Sequence, residues 1–188
     1  LSHNVFTTGG LQLARTAAGA LAAVLVFAAP AHAAGSDWEE EEQKPWEEIE
    51  AQLPPLPQEA NLREFYVDPR STNRYYVDAA SISVGQDGVV RYSLVIISAS
   101  GARNISYEGL RCETSERRFY AFGNSSGTWS KARSTAWKRI NDSGVNRQQA
   151  VLAEEYFCPL RHPVQTPDEA RDALRRGGHP NARSTKGP

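Results

Sequence analysis

The sequence predicts an α+β domain. Its centre is an antiparallel meander sheet of about five or six strands packed by a helix, with a disordered acidic N-terminal arm and a short C-terminal helix. Three observations predict it. Between residues 61 and 160, short apolar segments alternate with turn-forming clusters at hairpin spacing, the pattern of antiparallel strands. One such segment, 89–98, is apolar at both parities, with Val90, Tyr92, Leu94 and Ile96 on one face and Val89, Val95 and Ile97 on the other. A strand of that kind belongs at the centre of a sheet covered on both sides. Charge is also segregated: residues 35–60 hold nine acids and one lysine, 61–160 hold ten acids and thirteen bases, and 161–188 hold three and six.

Taken from the N-terminus, the first segment is a leader. Arg15 precedes a run of alanine, leucine and valine over residues 16–29, Pro30 breaks it, and Ala31-His32-Ala33 supplies the small residues of a signal-peptidase site. A charge, a short apolar stretch and an A-x-A ending describe a secretory signal peptide over 1–33, with cleavage near Ala33 and export of the mature chain expected. The apolar run is too short to span a bilayer, so the protein is not expected to be integral to the membrane.

Residues 34–60 form the acidic arm. A Trp-Glu-Glu triplet occurs at Trp38 and again at Trp46, and Leu53-Pro54-Pro55-Leu56-Pro57 follows. Carboxylate repulsion favours a solvated, mobile tether, and the prolines favour polyproline II geometry. Trp38 and Trp46 are the candidate anchors of this arm, either on a partner or folded back on the basic domain, because large aromatics serve as interface anchors.

The core domain, 61–160, contains expected strands at 63–67, 74–78, 81–84, 89–98, 103–112 and 117–122. Gly85-Gln86-Asp87-Gly88 makes a strong hairpin turn. Residues 146–157 have helical composition, with Val151, Leu152 and Tyr156 on one side. That helix brings Cys158 beside the end of the strand carrying Cys112. In an oxidising compartment these two cysteines, the only pair, are expected to form a disulfide. In the basic tail, 161–188, Thr166-Pro167-Asp168-Glu169 is a capping box and Gly177-Gly178 a stop, giving a helix over 167–176. Its stripe of Ala170, Ala173 and Leu174 is small, which suggests a peripheral position.

The stretch NRYYVDAASISVGQDGVVRYSLV (73–95), then SYEGLRC (106–112), FYAFG (119–123) and Gly127-Thr128-Trp129 resembles the family named after cryptic neisserial protein one. The resemblance covers roughly 38–160. It implies an exported bacterial protein of the periplasm or cell envelope, from a family of unknown function with no catalytic residues to carry over.

The residues themselves disfavour most chemistry. The balanced charge of the core is not that of a nucleic-acid binder. Gly123-Asn124-Ser125-Ser126-Gly127 matches G-x-S-x-G, but no apolar helix follows and the only histidines beyond the leader, His162 and His179, lie in the tail. Cys112, Cys158, His162 and His179 match no metal-ligand spacing. No cofactor and no metal site is expected. The sequons at Asn104, Asn124 and Asn141 matter only in a eukaryotic secretory pathway.

Aromatic rings among bases are the more informative constellation. Tyr107, Arg111, Tyr120, Trp129 and Trp137 form the candidate binding surface, since rings stack on sugars or peptides and arginine clamps carboxylates. The sequence therefore predicts a non-enzymatic binding module for an envelope protein or cell-wall component. The alternative is an enzyme acting on cell-wall glycan or peptide, with Glu108 or Asp78 as the acid placed on a strand. A third expectation is intramolecular: the acidic arm screens the basic domain until a competitor displaces it.

Overall fold

A computed structural model of the chain describes residues 45–141 and 147–182. The leader and Trp38 lie outside the described residues. Among the described residues seven strands form one sheet: β1 (Leu62–Phe65), β2 (Arg74–Val84), β3 (Val89–Ile97), β4 (Arg103–Arg111), β5 (Glu116–Gly123), β6 (Trp129–Lys131) and β7 (Lys138–Arg139). The first six neighbour one another in chain order and every pair is antiparallel, so the sheet is a meander; β7 joins the edge of β5 at Glu116 and Arg117.

The segments expected as two strands, 74–78 and 81–84, are one strand with an irregularity between Asp78 and Ser83. Side chains carry the chain through it. The Ser93 N–H donates to Ser81 Oγ at 2.8 Å, the Ser81 hydroxyl donates to the Asp78 carbonyl at 2.8 Å, and Asp78 Oδ1 accepts the Ala80 N–H at 3.0 Å. These bonds stand in for missing ladder bonds, so the break expected between 78 and 81 is a bulge.

Helices cover one face. α1 (Arg147–Val151) runs into a wider π turn over Leu152–Phe157, which the Cys158 N–H closes on the Ala153 carbonyl. Tyr92, Leu94 and Leu110 of the sheet meet Leu152, Tyr156 and Phe157 in a single core. The Tyr92 and Phe157 rings lie 5.4 Å apart. Cys112 and Cys158 are disulfide-bonded with their Cα atoms 5.3 Å apart, tying the end of β4 to the π turn.

α2 (Pro167–Arg176) begins as the capping box predicts, the Glu169 N–H donating to Thr166 Oγ1 at 3.1 Å, and ends at Gly177 with φ 73°. It is not peripheral. Ala170, Ala173 and Leu174 are buried in the core, and α2 packs on β1, β2 and the π turn. The small stripe that suggested a surface position lets the helix approach the sheet closely.

Residues 45–60 also depart from the solvated tether expected over 34–60. Residues 45–57 have no regular secondary structure and form a strap across the sheet face opposite the helices. Alternation along β3 settles which face: Tyr92 packs on Phe157, whereas neighbouring Arg91 bonds the strap at Ile49. β3 is therefore covered on both sides, as its apolar parity predicts. Glu48 of the strap meets Arg91 and Arg118 there, and that pairing holds the segment against the mutual repulsion expected of a free acidic arm.

Candidate functional site

The five residues of the candidate surface come together under this strap. Glu48 is its centre. One carboxylate oxygen accepts the Tyr120 hydroxyl at 2.6 Å and lies 3.5 Å from Arg91 Nη2; the other accepts the Trp137 indole N–H at 3.0 Å and the Arg118 guanidinium. The Glu48 side chain is 13% exposed. Four donors thus converge on one carboxylate, about as many as its lone pairs can serve.

Trp46 sits two residues earlier. Its ring lies face-on beneath Arg111, with the guanidinium carbon 3.8 Å from the ring centroid, and meets Trp137 edge-on at 6.0 Å. Its indole N–H donates to the Asp87 carbonyl at 2.9 Å. One residue after Glu48, the backbone of Ile49 is held on both sides: its N–H donates to Asp87 Oδ2 at 2.8 Å and its carbonyl accepts from Arg91 Nη2 at 2.7 Å. Farther along, the Trp129 indole N–H donates to the Pro54 carbonyl at 2.7 Å. Tyr107 is buried and supports the floor, its ring 5.4 Å from Tyr120 and 6.2 Å from Trp129.

Local chain features make room for this arrangement. A Cβ on Gly109 of β4 would stand 2.5 Å from the Tyr120 hydroxyl, so only glycine lets that ring lie over the β4 backbone. A Cβ on Gly85 would stand 2.1 Å from Asp87 Oδ1, which leaves the hairpin free to fold Asp87 onto Arg91 at 2.6 Å. Burial raises the Asp87 carboxyl, but Arg91 and the N–H groups of Ile49 and Val89 outweigh it and hold that carboxyl below the usual range. Burial and the bond to Glu48 push the Tyr120 hydroxyl far above its ordinary value, so it remains a donor at any physiological pH.

Arg91, Asp87, Glu48 and Pro54 were not singled out by the sequence. Arg91 did carry a signal, being the one charge in the mainly apolar central strand. Nothing distinguishes Glu48 from the other acids of the arm. Trp38 lies outside the described residues.

The profile of the CNP1-like family matches residues 41–175. The chain belongs to the CNP1-like family. A relative, cryptic neisserial protein 1 of Neisseria gonorrhoeae (strain ATCC 700825 / FA 1090), is 30% identical over 145 residues, covering 68% of this chain and 71% of the relative. No solved structure matches. The span matched by the CNP1-like profile includes the strap, the whole sheet, both cysteines and nearly all of α2, so the strap lies within the family's domain.

The two acids considered for catalysis lie apart. Glu108 is sealed on the helix side, bonded by the Ser106 hydroxyl at 2.5 Å, Gln149 Nε2 at 3.0 Å and the Tyr92 hydroxyl at 3.2 Å, and burial raises its pKa. Asp78 is also raised by burial and lines a pocket of about 220 Å³ with Pro54, Leu56 and Asn61. Gly123–Gly127 is the hairpin turn between β5 and β6, where the Asn124 side chain accepts the Ser126 and Thr128 N–H groups, and not a strand-to-helix elbow. Among the described residues no cluster of three or more His, Cys, Asp or Glu could hold a metal, and no helix is long and apolar enough to cross a membrane.

Proposed function

We propose that this member of the CNP1-like family is exported to the periplasm or cell envelope and acts there as a non-enzymatic binding module, through the sheet face that the strap covers. Export is supported by the leader pattern at Arg15 and Ala31-His32-Ala33 and by the Cys112–Cys158 disulfide. Binding is supported by one observation above the rest: the face already holds a polypeptide segment lacking regular secondary structure, gripped by side chains and not by a β-ladder. A surface that seats its own Trp46–Glu48 stretch through rings and arginines has the chemistry of a peptide-recognition groove.

The test is chemical crosslinking of the purified full chain in envelope extract, beside a variant carrying Trp129→Ala and Trp137→Ala. The proposal expects captured species that the variant loses. Capture unchanged by both substitutions would remove the sheet face from the account. A second reading, hydrolysis of wall glycan or peptide, has the burial-raised carboxyl of Asp78 at its pocket in its favour. Glycan hydrolysis ordinarily needs two carboxyl groups, and Asp78 is the single one among the residues lining that pocket.

A further inference from the structure

Resting on that reading of the face, we infer that the Glu48 seat is a receptor for a partner protein's acidic segment, one that presents an aromatic ring two residues ahead of a carboxylate and displaces the strap. The strap shows what the receptor reads. At position i, a ring fits between Arg111 and Trp137. At i+2, a carboxylate meets Arg118, Tyr120, Trp137 and Arg91. At i+3, Asp87 and Arg91 hold a peptide N–H and C=O, contacts open to any side chain.

Two further observations make this seat exchangeable. No strap residue belongs to the hydrophobic core, and the strap is not a strand of the sheet, so lifting it breaks neither. The seat also holds more donors than its resident satisfies: the Nε–H groups of Arg91, Arg111 and Arg118 are buried without an acceptor. Buried donors without partners are costly, and a ligand bringing a second carboxylate gains what the strap leaves unused. The tethered strap competes at a high effective concentration, so a ligand in trans binds the intact chain more weakly by the fraction of time the seat is open.

The probe is a labelled synthetic peptide with the sequence of residues 45–57, titrated by fluorescence anisotropy into the wild-type chain and into a full chain carrying Trp46→Ala and Glu48→Ala. The expected result is at least about tenfold tighter binding to the double variant. The same peptide with Glu48→Gln, and the double variant with Arg118→Met added, should each lose at least about tenfold. Equal binding of the Glu and Gln peptides overturns the inference. So does absence of binding to a double variant whose far-UV circular dichroism and cooperative unfolding match the wild type. Should the double variant misfold, Glu48→Gln alone serves as the loosened chain, with the same outcomes. Strap-dependent dimers in sedimentation would make the occupant a second copy of this chain and overturn the partner assignment. Envelope capture that survives Arg118→Met would leave the wider binding reading standing while removing this one; peptide binding without any envelope capture would remove both, leaving a seat that serves the strap alone.

Discussion

Replacing Glu48 by alanine should release the strap while leaving the domain folded. The substitution removes the carboxylate and strands three donors, the Tyr120 hydroxyl, the Trp137 indole N–H and the Arg118 guanidinium, the last on a side chain 25% exposed, while Arg91 keeps Asp87 and the Ile49 carbonyl. A hydrogen bond to a charged group contributes about 1.5–3 kcal/mol, and losing one member of a fully buried ion pair costs about 3–5 kcal/mol. Glu48 and Arg118 keep some solvent access, which brings the expected loss to about 2–4 kcal/mol. The global effect is capped. Once the loss exceeds the free energy holding the strap down, the strap opens and stability falls no further, because the core lies on the other face. The readout is therefore local: amide hydrogen exchange at Ile49, whose N–H is held by Asp87 in the closed strap. At about 1.4 kcal/mol per decade, exchange there should speed up about 30- to 1,000-fold, while amides of β3 slow or hasten by far less. An Ile49 rate changed by less than about threefold, with β3 unchanged, would refute the placing of Glu48 at the centre of the strap's attachment.

Gly109→Ala should cost about 1–3 kcal/mol in urea denaturation and also hasten exchange at Ile49, because the new methyl group displaces the Tyr120 hydroxyl from Glu48; an unchanged Ile49 rate would contradict that coupling. Loss of the disulfide in Cys112→Ala/Cys158→Ala should lower stability by about 2–5 kcal/mol, the loop-closure term for a separation of 46 residues being about 4 kcal/mol. The unfolded, unreduced wild-type chain should show no reactive thiol. Glu108, raised in the folded chain above its ordinary 4.5, contributes stability that is fully present below that value and lost as pH rises through the folded pKa. Glu108→Gln should therefore flatten the stability–pH curve above about pH 4.5, and a curve parallel to wild type would show that Glu108 is not the titrating group.

The sheet was legible because its signals are local. Hairpin turns at Gly85–Gly88, strand parity in β3 and the capping box of α2 each follow from a few neighbouring residues, and the disulfide follows from the two cysteines of a chain whose leader pattern reads as a signal peptide. The bulge in β2 was read as a break because Asp78 and Ser81 replace ladder bonds with side-chain bonds, which no periodicity records. The site was half legible. Tyr107, Arg111, Tyr120, Trp129 and Trp137 were grouped by composition alone; in the structure Tyr120 and Trp137 bond one carboxylate, Arg111 and Trp129 hold the strap at Trp46 and Pro54, and Tyr107 lies beneath. That carboxylate belongs to Glu48, separated from Arg118 and Tyr120 by 70 and 72 residues, and one glutamate among nine acids gives no sign of its partner. The arm was read chiefly as a tether because repulsion within it is local and its neutralisation by Arg91 and Arg118 is not, although Trp46 was also named as an anchor that could fold back on the basic domain, where the structure places it. α2 was read as peripheral for a related reason: alanine contributes little area by itself, and its value lies in the close approach it allows.

The strap lies on the aromatic and basic face of the sheet as a ligand would, held through the Glu48 carboxylate. A double-mutant cycle between Glu48→Gln and Arg118→Met, read as the free energy of strap opening from exchange at Ile49, measures that attachment. A coupling of about 1.5 kcal/mol or more is expected for a close and partly desolvated charge pair. Additivity within about 0.5 kcal/mol would mean that the two side chains do not meet in solution, and the bound strap would not stand.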